Sequence, residues 1–183
     1  MVHKINFNLI IVTAIMLGCI FISGCTNQNN ESSFYTYENA QRGISIEYPV
    51  TWIKYENPPQ IPDVLVLFTS QSEEPTKIGS LMVSVLDLEE YMDMDWFKDA
   101  HIENLSKDLT DFNIVFSNSS TLADLQAYKL IFTFTQDIYT WRQLEIWTIK
   151  DNTLYLLVHQ VDQANYNEFA DIIEQMIDSF EIS

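Results

Sequence analysis

Ile44, Ile46 and Tyr48 alternate with Ser45 and Glu47, which is the period of a β-strand. The same period recurs at Leu81, Val83 and Val85, and again at Leu130, Phe132 and Phe134 against Thr133 and Thr135. Leu144, Ile146 and Thr148 alternate with Glu145, Trp147 and Ile149. Val64 to Phe68 and Leu154 to Val161 are denser apolar runs, the first bounded by Pro62 and by Ser70-Gln71-Ser72, and both read as strands. The links around Gln136 to Thr140 and at Asp151-Asn152 are too short for helical crossovers. They predict antiparallel neighbours.

Two segments carry the helical period instead. Phe97, His101, Leu105 and Leu109 recur every four residues, with Lys98, Glu103, Lys107 and Asp108 between them. Tyr166, Phe169, Ile172, Ile173, Met176, Ile177 and Phe180 form a wide apolar stripe. Asn165 or Asp162 is placed to cap that helix, and Glu168 suits the positive end of its dipole. Helices with a mostly antiparallel sheet predict a layered α+β fold.

The first 24 residues follow other rules. Leu9 to Ile22 is a nearly unbroken apolar run of about 14 residues. That is shorter than the roughly 20 needed to span a bilayer and has the length of a signal-peptide core. It ends in Ile22-Ser23-Gly24-Cys25, which resembles the lipobox of prokaryotic lipoproteins. The resemblance implies cleavage before Cys25 and a diacylglycerol on its thiol. Gly18-Cys19 fits less well, because Met16-Leu17 is wrong for the preceding positions. An uncleaved anchor with an incidental cysteine is the other reading. Either one places the body on the outer face of the cytoplasmic membrane. The expected organisation is a signal peptide over 1–24, a lipidated cysteine and flexible polar tether over 25–33, and a single domain over 34–183.

Charge and composition then remove whole classes of function. The chain has 183 residues and a formal charge of −17, so phosphate is repelled and nucleic acid is not an expected partner. Four glycines, two of them in the leader, are too few for a phosphate-cradling loop, so no nucleotide is expected either. The two cysteines are Cys19 and Cys25, which leaves the body without a thiol. Disulfides, cysteine-based zinc sites and cysteine nucleophiles are excluded there.

The body opens with Phe34-Tyr35-Thr36-Tyr37 and continues with Gly43-Ile44-Ser45-Ile46-Glu47-Tyr48-Pro49-Val50-Thr51-Trp52. It closes on an amphipathic helix running into Ser179-Phe180-Glu181-Ile182. This resembles the PsbP-like family, over essentially Phe34 to Ser183. The resemblance implies a central antiparallel sheet sandwiched by helices. It also implies a docking or accessory role in place of catalysis, since the best-known members are extrinsic subunits of photosystem II. No docking or ion-retaining residue of those members can be matched to a position here. Gly43 sits at a hairpin-like turn where positive φ is expected, and Tyr48, Pro49 and Trp52 read as fold determinants.

Candidate chemistry is sparse. His101 and His159 both fall on apolar periods and read as core-edge histidines; sequence spacing gives no support for a shared metal site. No motif for nucleophilic catalysis is present. Asp87, Glu89, Glu90, Asp93 and Asp95 crowd a strand–helix junction and are weak candidate ligands for Ca²⁺, against a plain solvated junction in which Asp93 or Asp95 caps the helix. Otherwise no cofactor is expected. Tyr139, Trp141 and Trp147 are candidate docking residues if their face is open. Asn30, Asn104 and Asn118 begin Asn-x-Ser sequons. The expected function is a lipid-anchored, non-catalytic module that docks on a membrane complex or envelope protein. A lipoprotein binding a small molecule or metal ion is the alternative, and a hydrolase follows it.

Overall fold

The computed structural model describes residues 33–88 and 92–183. The chain forms β1 (Phe34–Asn39), β2 (Ile44–Pro49), β3 (Ile53–Glu56), β4 (Val66–Thr69), β5 (Ser80–Asp87) and α1 (Met94–Asp108). It continues through β6 (Thr110–Leu122), β7 (Leu125–Gln136), β8 (Tyr139–Lys150), β9 (Thr153–Asp162), α2 (Tyr166–Asp178) and β10 (Glu181–Ile182). Seven strands make one antiparallel sheet in the order β3-β4-β5-β9-β8-β7-β6. A three-stranded sheet, β1-β2-β10, completes the architecture. This is the α+β class expected from the periodicities.

Short turns dictate the meander from β6 to β9. Ala123-Asp124 and Asp151-Asn152 each link two strands through two residues with positive φ, the backbone that matches strand twist. Asp and Asn tolerate that conformation because their short polar side chains bond locally. Gly43, at φ 62°, turns the chain between β1 and β2 as expected. Gly79 answers to a different constraint: a Cβ there would lie 2.5 Å from the Phe169 ring, so β5 meets α2 only without a side chain.

The large sheet is covered on both faces. Ile173, Met176 and Ile177 of α2, with Tyr37, Ile44 and Ile46 of the small sheet, pack onto Phe68, Leu81, Val83, Ile146 and Leu157. Burying each such side chain stabilises the fold by roughly 1.5–3 kcal/mol. Phe97 and Leu105 of α1 pack on the opposite face against Met82, Phe132, Trp147, Leu156 and Val158. Asp93 caps α1 by accepting from the amides of Asp95 and Trp96, at 2.9 and 3.2 Å. Asp162 caps a short 3-10 turn ahead of α2, while Asn165 bonds across to the Thr76 carbonyl.

Three features depart from the sequence reading. β6 carries no period-two signal, because most of its residues are exposed on either side. β3 is short and mostly exposed and gives no signal either. Glu145, a charged residue within an alternating strand, is buried beneath His101 of α1.

Candidate functional site

β8 is an interior strand beside the central β9, and its alternate residues Trp141, Gln143, Glu145 and Trp147 face α1. The register sets this, pairing Glu145 with Val158 and Trp147 with Leu156. His101, on the stripe of α1, reaches down to that row. Its Nε2 lies 2.5 Å from Glu145 Oε2, while Gln143 donates to Glu145 Oε1 at 2.7 Å. His101 is 2% exposed and Glu145 3%. Burial by itself would push the His101 imidazole down. The Glu145 carboxylate outweighs burial, through its charge and its hydrogen bond, and holds the imidazole above its ordinary value of 6.5. Phe97 stacks on the same imidazole at 5.4 Å, and Trp147 meets it edge-on at 5.5 Å.

His159 lies on the other face. Its Nδ1–H donates to the Ser80 carbonyl at 2.7 Å, and Tyr166 and Phe169 flank the ring at 5.6 and 6.2 Å. Burial, only partly opposed by that hydrogen bond, pushes its pKa down to about 4. It is therefore a neutral core imidazole at physiological pH. The sheet separates the two histidines, so they do not converge on one metal. Both have structural partners, in keeping with the core-edge reading.

The acidic junction is divided among local tasks. Asp87 pairs with Arg42 at 3.0 Å, Asp93 caps α1, and Asp95 meets Lys98 at 3.3 Å. Glu89 and Glu90 lie outside the described residues. Among the described residues, no group of three or more His, Cys, Asp or Glu side chains is arranged to hold a metal ion. Cys25, the tether as far as residue 32, and Asn30 also lie outside them. Asn104 sits half-buried on α1, and Asn118 is exposed on β6.

The aromatic docking candidates separate from one another. Trp147 is 0% exposed, enclosed by Phe97, His101 and Tyr128, and can touch no partner. It leaves the docking surface because α1 covers the middle of β8. Trp141 is half-buried against the same core, and Tyr139, at the turn, is 39% exposed. Ile138 projects beside it at the tip of the β7–β8 turn.

An opening for a partner lies along a strand that sequence reasoning missed. β6 ends the large sheet, with no strand beyond it among the described residues. Ile114, Val115 and Phe116 on it are 42%, 46% and 44% exposed. A bulge between Ile114 and Phe116 makes Val115 the extra residue. The sequence signal that could have found it is Ile114-Val115-Phe116 itself, a β-favouring triplet inside an otherwise Ser/Asn/Thr-rich stretch.

The PsbP family model matches residues 32–182. The fold is similar to that of cyanobacterial PsbP (CyanoP) from Synechocystis sp. PCC 6803, at TM-score 0.64 and 14% identity, covering 87% of this chain and 98% of that one. It is similar to LpqN, involved in cell envelope biogenesis of Mycobacterium tuberculosis, at TM-score 0.58 and 14% identity, covering 84% and 87%. It is similar to the Ran-binding protein Mog1p of Saccharomyces cerevisiae, at TM-score 0.57 and 12% identity, covering 81% and 95%. At these identities the likeness is one of fold. No curated protein matches the chain in sequence.

Proposed function

The chain belongs to the PsbP family, and from that footing we propose that it is a lipid-anchored extracytoplasmic module that docks on a membrane complex or envelope protein, with no catalysis of its own. The observation that carries this reading is the exposed apolar run on the edge strand β6. An open strand edge of that kind is a site for partner association. The residues best suited to acid–base chemistry point the same way. His101 and His159 are buried and committed to Glu145 and to the Ser80 carbonyl. Proteins sharing the fold include a Ran-binding protein and a protein of cell envelope biogenesis, which supports binding as the activity.

Anchoring through Cys25 and docking are tested together in native membranes. Cys25→Ala is expected to shift the chain from the membrane fraction to the soluble fraction. Chemical crosslinking of the unaltered chain is expected to recover one recurrent partner. A chain that runs alone in its membrane, yet binds a small ligand when purified, would overturn the docking reading.

A further inference from the structure

The two edges of the large sheet are finished differently. β3 has four residues, an ion pair between Lys54 and Glu56 at 2.6 Å, and Pro58 shortly after it. Short length, charge and proline discourage a passing strand from pairing. β6 has 13 residues, a single charged side chain (Asp111), and neither lysine nor proline. Past its bulge it is regular for six residues, paired with β7 from Ser117↔Leu130 to Leu122↔Leu125. That stretch offers about 20 Å of outward-facing backbone.

Charge indicates the occupant. The Leu122 end of β6 opens into a cleft of about 740 Å³, whose walls carry Glu38, Asp124, Asp178 and Glu181 and no lysine or arginine. Asp108 and Asp111 stand at the other end of the strand. The nearby cations are engaged: Lys107 with Glu103 and Lys129 with Glu174. A second copy of the chain would bring the same carboxylates to the same edge, against a formal charge of −17 on each molecule.

We infer that β6 accepts a basic, extended segment of a partner protein as an eighth strand. Main-chain hydrogen bonds along Ser117–Leu122 supply the affinity, with apolar side chains of the segment resting on Ile114, Val115 and Phe116. Lysines or arginines at its ends meet the carboxylates of the cleft and of Asp108 and Asp111. The inference rests on the docking reading and adds the surface and the partner's chemistry.

The probe is a synthetic peptide of alternating valine and threonine with two lysines at each end, added to the full-length chain in detergent. Backbone amide exchange is expected to slow at the β6 amides between Ile114 and Leu122 that are not bonded to β7, and not at the opposite edge, β3. Phe116→Lys and Ser119→Lys, both at exposed positions, are expected to weaken binding about tenfold or more, with unchanged circular dichroism. Ile53→Lys at the opposite edge is expected to leave binding unaltered, and added salt to weaken it. Equal binding by a peptide with glutamates in place of the lysines overturns the inference, as does protection at another site. So does a homodimer that Phe116→Lys dissolves. Photocrosslinkers separate this from the docking reading. Capture of a partner from other surface positions, but not from position 116, ends the inference and leaves docking standing.

Discussion

The two faces of the large sheet hold their helices by different means. α2 is held by apolar contact: Ile173, Met176 and Ile177 lie on an almost wholly hydrophobic wall, with one neutral histidine set into it. α1 buries only Phe97, His101 and Leu105. Beneath it lie Gln143, Glu145 and Gln160, all buried. His101 Nδ1, Trp147 Nε1 and Gln160 Nε2 have no protein hydrogen-bond partner among the described residues. The comparison teaches that the weakly amphipathic α1 is positioned by a buried His–Glu contact, while the strongly amphipathic α2 packs without a buried ion pair. A buried hydrogen-bonded His–Glu pair adds little net stability but is costly to break, so it specifies where α1 sits.

The largest effect should come from breaking that contact. Glu145→Ala is expected to cost about 3–5 kcal/mol in urea unfolding, because His101 and Gln143 lose their acceptor inside the core. Replacing both partners, His101→Leu with Glu145→Leu, should recover most of that loss. If the single variant costs less than about 1 kcal/mol, α1 is held by packing alone and the contrast between the faces collapses.

The histidines sharpen the contrast through pH, with opposite signs. His159 is depressed to about 4 in the folded state, so its neutral form is favoured there. Stability from it is complete above the ordinary value of 6.5 and is lost as pH falls through about 4, by about 3 kcal/mol in all. His101 is raised above 6.5, so its contribution is complete below 6.5 and is lost as pH rises through the raised value. Urea unfolding between pH 4 and 8 should show His159→Asn flattening the acid limb and His101→Gln the neutral-to-basic limb. Two limbs of the same sign would break the assignment.

The smallest effect lies at the start of α1. Asp93→Ala removes the acceptor for the amides of Asp95 and Trp96 and should cost about 1 kcal/mol. Thermal unfolding measures it. A larger loss would mean that the cap, as well as Glu145, fixes the helix.

The same contrast explains what was legible in the chain. α2 and the strands facing it advertise themselves, since Ile173, Met176, Ile177, Leu157 and Val83 must be apolar to be where they are. The amphipathic closing helix was readable for that reason, and the Gly43 turn because positive φ favours glycine. Glu145 was not, because a carboxylate in an alternating strand looks like a solvent-facing residue until a histidine from another element covers it. Trp147 was misplaced for the same reason: register alone decides which aromatic of β8 lies under α1. β6 was missed because an edge strand exposed on both faces needs no alternation.

The small sheet carries one more consequence, for the order in which the molecule comes together. β2 takes one neighbour from β1, five residues upstream at the turn, and the other from residues 181–182. Synthesis delivers β1 just before β2 and β10 only after α2. Strands β6 to β9 instead close as successive hairpins, each on a timescale of about 1–10 μs. The meander is therefore available as a folding platform early. The two-residue strand β10 then acts as a latch, and Ile44 remains without its cross-strand partner Ile182 until that residue has been made and freed.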